Sequence, residues 1–349
     1  MYNAIDDVKI KEIDLSTTHR LKVESFLSTF NLLLDDDIDH TIIAHVDKEI
    51  IGTCSSAKNI IKSFAVKKGY QDQGIASKLI THITNHLFEK GIYETFIFTK
   101  PNNLALFEGL NYRKVQATDK VVLLEGGMAD INRTINAMFI NSNLDKSPKA
   151  ALVMNCNPFT LGHRYIIEKA SMENEQVVVF IVEEDASVFP FQVRMELARL
   201  GTKDLENVFI LPGGKYIISS NTFPSYFIRQ RDLKANAYAE LDGKIFGKYI
   251  SPAFNIKKRY LGSEPYCKTT NFYNQVLSSV LPEFGIKVVE IKRLPIEKDF
   301  ISASRVRKLI KHGTFQEVSN LVPKSTMDFI NSPKAKDIIK KIEKGDSPH

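Results

Sequence analysis

At 349 residues, the chain is longer than one hydrophobic core usually grows, so at least two domains are expected. With 43% hydrophobic and 25% charged residues, 17 Gly and 13 Pro, the collagen-like, disulfide-scaffold and largely disordered classes are excluded. The net charge of +6 is unevenly spread: residues 1–148 carry 17 Lys and Arg against 19 Asp and Glu, whereas residues 149–349 carry 30 against 22. The later, basic part is therefore the one expected to meet phosphate or an acidic partner. No membrane span is visible, because no stretch of about 18 apolar residues runs uninterrupted by charge. The opening Met1-Tyr2-Asn3-Ala4-Ile5-Asp6-Asp7 is acidic where a secretory signal needs a basic region, so a cytoplasmic protein is expected. Cys54, Cys156 and Cys267 lie too far apart for a CxxC metal pair or a disulfide framework; they are expected as buried thiols.

In chain order, strand-like runs occur at His40–His45, Ile50–Cys54 and Ile60–Val66. A helix follows over Ile75–Phe88, where Ile75, Leu79, Ile80, Ile83 and Leu87 form an apolar stripe, and Gly91 ends it. A strand at Thr95–Thr99 stops at Pro101, a short helix covers Leu104–Phe107, and Lys120–Leu124 closes the unit at Gly126-Gly127. Ala129–Ile140 reads as a helix leading into the polar stretch 141–148, so the expected organisation is a domain over 1–127, a helical linker over 128–148 and a second domain over 149–349. Beyond the linker, strand and helix alternate: Ala150–Asn155, Arg164–Ala170, Gln176–Val182, Gln192–Leu200, Asn207–Leu211, a helical stretch from about Tyr226 to Leu241, Lys287–Ile291 and Arg305–Lys311. That grammar predicts a parallel sheet with helices on its faces. A Lys-rich amphipathic tail completes the chain.

Three segments carry candidate chemistry. In the first, the strand from Ala150 runs into Asn157-Pro158-Phe159-Thr160-Leu161-Gly162-His163 and a helix, the outline of a phosphate site. Pro158 fixes φ, Gly162 lets backbone approach a ligand, and N–H groups at the helix start face an anion. His163 can donate to phosphate oxygens; its plain alternative is an incidental loop histidine. In the second, Ile301-Ser302-Ala303-Ser304-Arg305-Val306-Arg307 opens another helix. Ser302 or Ser304 serves as N-cap, and Arg307 is expected in the first turn, where the dipole disfavours a cation unless an anion is bound. In the third, Val66 ends a strand, and Gln71-Asp72-Gln73-Gly74-Ile75-Ala76 opens the next helix, with successive N–H groups suited to a pyrophosphate. Arg194 is a weaker anion candidate, with an exposed helix arginine as the alternative. Lys215, Tyr216, Asn221 and Arg229 fall after a strand's C-terminal end, where doubly wound folds bind ligands, but none is taken as catalytic.

Thr160-Leu161-Gly162-His163 and the Ile301–Arg307 segment, about 140 residues apart, resemble the (His/Thr)-x-Gly-His and Ile-Ser-x-Thr-x-x-Arg motifs of the nucleotidyltransferase superfamily, with Ser304 in place of Thr. Gln71–Ala76 resembles the acyl-CoA loop of GNAT-type acetyltransferases, and Leu106–Tyr112 is similar to a later element of that fold, with Asn111 for Gly. The pairing of the two modules resembles the citrate (pro-3S)-lyase ligase family. Further matching stretches are Asn155–His163, Asn221–Phe227 and Arg259–Pro265.

The resemblance implies an α/β architecture, with a GNAT-like α+β domain followed by a Rossmann-like doubly wound domain. It implies ATP and Mg²⁺ as cofactors, with acetyl-CoA or CoA at Gln71, Gly74 and Ala76. It also implies an AMP-forming ligase that activates acetate as acetyl-adenylate and acetylates the thiol of the CoA-like arm on the citrate lyase acyl carrier subunit. His163, Thr160 and Arg307 would be catalytic, and Asn157, Pro158, Phe159, Gly162, Ser302, Ser304 and Arg194 would hold the nucleotide. The alternatives are an adenylyltransferase using a phosphorylated acceptor and an N-acetyltransferase using acetyl-CoA. Nucleic-acid binding is disfavoured, since no recognised module or dense basic stripe is present.

Overall fold

The computed structural model describes residues 8–183, 187–217, 227, 231–263, 268–293, 295–296 and 299–345. Backbone contacts group the chain into two compact units, one of Met1–Thr134 with Pro224–Ala237, the other of Ile135–Phe223 with Tyr238–His349. The division falls inside a helix, after Thr134, rather than in the polar stretch that follows it.

The first unit holds β1 (Lys9–Glu12), α1 (Thr17–Ser28), β2 (His40–Val46), β3 (Glu49–Ala57), β4 (Ile60–Val66), α2 (Ile75–Glu89), β5 (Glu94–Thr99), α3 (Leu104–Glu108), β6 (Arg113–Ala117) and β7 (Val122–Gly127). The strands form one sheet in the order β1-β2-β3-β4-β5-β7-β6. Every pairing is antiparallel except β4 with β5, which are parallel and pair only at Ile60 with Phe96 and Ile61 with Ile97. The two strands part beyond that point, and the chain leaving β4 at Val66 enters the turn to α2. The apolar stripe of α2 is buried as its spacing requires, with Leu79, Ile83 and Leu87 packed among Ile42, Ala44, Cys54, Ile61 and Ile97. Burying each such side chain contributes about 1.5–3 kcal/mol.

After α4 (Ile131–Asn141), the second unit runs β8 (Lys149–Met154), α5 (Leu161–Met172), β9 (Val177–Ile181), α6 (Phe191–Gly201), β10 (Val208–Pro212), α7 (Arg231–Ile245), α8 (Ser251–Phe254), β11 (Ile256–Gly262), α9 (Lys268–Val280), β12 (Lys287–Ile291), β13 (Pro295–Ile296), β14 (Asp299–Phe300) and α10 (Ala303–Lys311). Three short helices close it: α11 (Phe315–Ser319), α12 (Lys324–Ile330) and α13 (Lys336–Lys344). The main sheet is parallel throughout, in the order β10-β9-β8-β11-β12. That is the doubly wound order, in which the winding reverses between β8 and β11.

Side-chain alternation along β9 explains why both faces are covered. Val177, Val179 and Ile181 join a core with Ile166, Met195, Val306 and Ile310, whereas Phe180 points the other way, edge-on to Phe246 and Phe254. A strand apolar at every position is what a two-sided parallel sheet demands. No helix among the described residues is long and apolar enough to cross a membrane.

Candidate active site

In an open α/β sheet, ligands bind outside the strand C-termini where the winding reverses. The chain leaving β8 at Met154 forms the turn that ends in α5. Thr160 is the N-cap of α5: its Oγ1 accepts the His163 backbone N–H at 3.3 Å. In return, His163 Nδ1 accepts the Thr160 N–H at 3.1 Å and lies 2.9 Å from Thr160 Oγ1. This is a capping box in which imidazole replaces the usual carboxylate. Because Nδ1 is an acceptor, the neutral ring carries its proton on Nε2, ready to donate. The ring stacks on buried Phe159, with centroids 5.8 Å apart. Burial, and then the positive charge of Arg293, push its pKa down to about 4. His163 is therefore a neutral donor rather than a cation at pH 7.

Gly162 explains how the second motif reaches this turn. A Cβ there would lie 2.9 Å from the Ile301 carbonyl oxygen, so only glycine lets the start of α5 approach the segment before α10 this closely. Ser302 caps α10 by accepting the Arg305 N–H at 3.2 Å. Arg307 is the fifth helical residue, one turn later than the sequence suggested, because α10 begins at Ala303. Its side chain reaches back along the helix: Nη1 donates to the Asn157 carbonyl at 2.5 Å and Nη2 to Ser304 Oγ at 3.4 Å. Arg307 Nε is buried without a hydrogen-bond partner among the described residues, and burial lowers the pKa of this guanidinium. Leaving such a donor unmet costs about 1–3 kcal/mol, and an anion would satisfy it.

Arg194 is not the exposed arginine of the alternative reading. It is fully buried on α6, where Nε donates to the Phe189 carbonyl at 3.0 Å. Its Nη1 donates to the carbonyls of Asn155 and Val182 at 2.7 and 2.8 Å, and to Asn155 Oδ1 at 2.7 Å. It clamps the turn together. Buried Asn157 accepts the Phe189 N–H at 3.0 Å, and Pro158 follows it through a cis peptide bond.

Arg293, after β12, escaped the sequence reading. Its Nε donates to the Ser263 carbonyl at 2.8 Å, and its charge reaches His163. A basic pair following a strand reads as surface; its placement at the C-terminal edge of the parallel sheet was the available signal. The turn thus gathers His163, Arg293 and Arg307, one neutral donor and two cations. Tyr216 is buried and Lys215 exposed, while Asn221, Arg229, Cys267 and most of Asn221–Phe227 lie outside the described residues. Cys156 is buried, its pKa pushed up to about 12 by burial, so it stays a neutral thiol. Cys54 is likewise buried, with its pKa raised by burial.

In the first unit, Gly74 caps α2 in the left-handed region with φ of 75°, which favours glycine there. Gln71 Nε2 donates back to the Val66 carbonyl at 3.2 Å and Gln73 Nε2 to the Gly69 carbonyl at 2.9 Å, folding the turn tightly against the end of β4. Ala76 lies in the first turn of α2, where backbone N–H groups have no partner within the helix.

Fold and site together define a two-module α/β protein: a GNAT-like mixed sheet and a doubly wound sheet carrying a nucleotidyltransferase-type Gly-His turn. Residues 149–330 match the family described as citrate lyase ligase C-terminal domain, and residues 9–110 match the acetyltransferase (GNAT) family. The chain is 35% identical over 316 residues to citrate (pro-3S)-lyase ligase of Klebsiella pneumoniae, covering 89% of this chain and 92% of that protein. It is 32% identical to the Escherichia coli protein of the same name, covering 89% and 90% respectively. A phosphopantetheine adenylyltransferase of Corynebacterium efficiens is 24% identical over 41% of this chain and 97% of its own length. The chain belongs to the citrate lyase ligase family.

Proposed function

We propose that the chain is an ATP-dependent, AMP-forming ligase that activates citrate lyase by acetylating a thiol on the CoA-like arm of its acyl carrier subunit, working in the cytoplasm. The observation that supports this most is the meeting of two distant motifs, with Gly162 against Ile301 and Arg307 on the Asn157 carbonyl. In the first step, an acetate oxygen attacks the α-phosphorus of ATP, the bond to the β-phosphate oxygen breaks, and pyrophosphate leaves. Two anions must approach each other, so the chain's task is charge neutralisation and positioning.

His163 donates from Nε2 to an α-phosphate oxygen, with Thr160 and the start of α5 beside it. Ser302, Ser304 and Arg307 receive the β- and γ-phosphates, and Arg293 adds positive potential at the turn. Asn157, Pro158, Phe159 and Gly162 shape the floor, and Arg194 holds it. These groups are donors and cations, a set that receives phosphate oxygens and does not ligate a metal, so Mg²⁺ would arrive with the nucleotide, held by its phosphates and neutralising their charge. In the second step, the carrier thiol sulfur attacks the acetyl carbon, the carbon–oxygen bond to AMP breaks, and the thiol proton is released. Cys156, a buried neutral thiol, takes no part.

For the first unit, we propose that Gln71, Gly74 and Ala76 frame a pyrophosphate cradle for CoA, acetyl-CoA or the carrier's CoA-like arm. The splay of β4 from β5 beside that turn supports this reading.

The deciding experiment is exchange of labelled pyrophosphate into ATP. Exchange that requires acetate supports the ligase. No exchange with acetate, together with a stable adenylylated product from a phosphomonoester acceptor, would overturn it in favour of a plain adenylyltransferase.

A further inference from the structure

In the first unit, three side chains from three elements converge: Glu12 on β1, His40 on β2 and His86 in the last turn of α2. The two imidazoles are stacked, with centroids 3.4 Å apart and planes 8° from parallel. His40 Nε2 lies 3.6 Å and His86 Nδ1 3.5 Å from the same oxygen, Glu12 Oε1. Both separations are too long for N–H···O hydrogen bonds, which run about 2.7–3.2 Å. At His40 no hydrogen bond from elsewhere compensates, because the same Nε2 is buried without a hydrogen-bond partner among the described residues; on His86 it is the other ring nitrogen, Nε2, that is buried and unpartnered there. Such orphaned ring nitrogens cost about 1–3 kcal/mol each.

The spacing has a simple geometric meaning. Ligands bound tetrahedrally at about 2.0–2.1 Å stand about 3.4 Å from one another, close to the 3.5 and 3.6 Å separations here. One ligand atom from each of the three residues lies within 4.8 Å of the others. We propose that Glu12, His40 and His86 form a binding site for a divalent transition cation of the zinc class, with solvent completing the coordination.

Two imidazoles and one carboxylate suit that class, whereas Mg²⁺ and Ca²⁺ demand oxygen donors. Glu12 is 67% exposed, so the site is open on one side for entry and for a water ligand. Lys90 opposes a cation but is exposed, and Asp39 is engaged by Ser56 Oγ and the Lys58 N–H at 3.1 and 2.6 Å. Coordination requires the rings to open from their stack by a side-chain rotation. The bound ion would then tie edge strand β1 to β2 and to the end of α2.

The test uses the full chain stripped with a chelator and titrated with Zn²⁺ alone against a chromophoric competitor, with metal content read by mass spectrometry after dialysis. The expected result is one equivalent retained per chain, with E12Q and H86A each weakening retention about tenfold or more, and visible Co²⁺ bands that both variants lose. Glu12 is exposed, so E12Q should keep the metal-free melting temperature and reads the site without unfolding the chain. Failure of the wild-type chain to retain Zn²⁺, or retention by E12Q and H86A equal to that of the wild type, overturns the proposal.

Discussion

Gly162 and Ile301 are separated by most of the second unit's sequence, yet a single added methyl on Gly162 would fall 2.9 Å from the Ile301 carbonyl oxygen. The glycine of the Gly-His turn is thus a steric key: the Ile301–Arg307 segment lies against α5 because no side chain holds it away. Since that carbonyl belongs to backbone, it cannot swing aside as a flexible side chain would.

Gly162→Ala should therefore separate the motifs. Overpacking of this kind costs about 1–3 kcal/mol, so the melting temperature should drop by several degrees. Acetate-dependent exchange should fall far more, about a hundredfold or beyond, because a displacement of about 1 Å at the reacting groups carries that penalty. Wild-type exchange in a folded Gly162→Ala protein would show that the close approach is not needed for chemistry.

His163 makes a prediction about pH. In the unfolded chain an imidazole titrates near 6.5, whereas burial and Arg293 hold His163 at about 4 in the folded chain. Between those values only the unfolded chain takes up the proton, so stability is fully present above about pH 6.5 and declines as the pH falls toward 4. The ring is mostly buried but not sealed from water, which keeps the effect to about 1–3 kcal/mol. In His163→Gln this acid slope should flatten, while exchange at neutral pH falls about 100- to 1000-fold, the usual consequence of removing one transition-state donor. Denaturation curves between pH 4 and 8 that have the same slope in both proteins would refute the assignment.

The features legible in sequence are those whose chemistry is local. Thr160-Leu161-Gly162-His163 spells out its own cap and turn, and the stripe Ile75, Leu79, Ile83 fixes the buried face of α2. Strand β11 was not legible, because Lys257, Lys258 and Arg259 break the continuous apolar run that marks a buried parallel strand. In the structure, Arg259 is buried with its guanidinium 4.4 Å from the Phe246 ring, and only the tertiary position of Ile256–Gly262 between β8 and β12 makes a strand of it. The buried settings of Arg194 and Arg293 were illegible for the same reason. A charged side chain signals exposure unless its partners are known, and those partners here are backbone carbonyls, which leave no mark in the sequence.

Arg307 and Arg194 should behave differently when changed. Arg307 braces the Asn157 carbonyl yet keeps a buried Nε without a partner among the described residues. Arg307→Lys keeps the charge but loses the fork, so the KM for ATP should rise about tenfold or more, with a modest change in melting temperature. Arg194 donates to three carbonyls of the turn and its surroundings, so Arg194→Met should chiefly lower stability, by about 3 kcal/mol or more, through the acceptors it strands. Comparable stability loss in both variants, with an unchanged KM in Arg307→Lys, would remove Arg307 from nucleotide binding.

Gly74 tests the proposed role of the first unit. Its φ of 75° places it where a side chain is strained but not blocked, since a Cβ there meets no atom within 4 Å. Gly74→Ala should then cost only about 1 kcal/mol of stability. A bulkier Gly74→Val adds branched atoms above the N–H groups at the start of α2, and should weaken CoA binding about tenfold or more by calorimetry. Acetate-dependent exchange, which belongs to the second unit in this reading, should stay within about twofold of wild type in Gly74→Val. CoA affinity unchanged by Gly74→Val would mean that the Gln71–Ala76 turn holds no pyrophosphate, while loss of exchange would show that the turn serves the adenylation step itself.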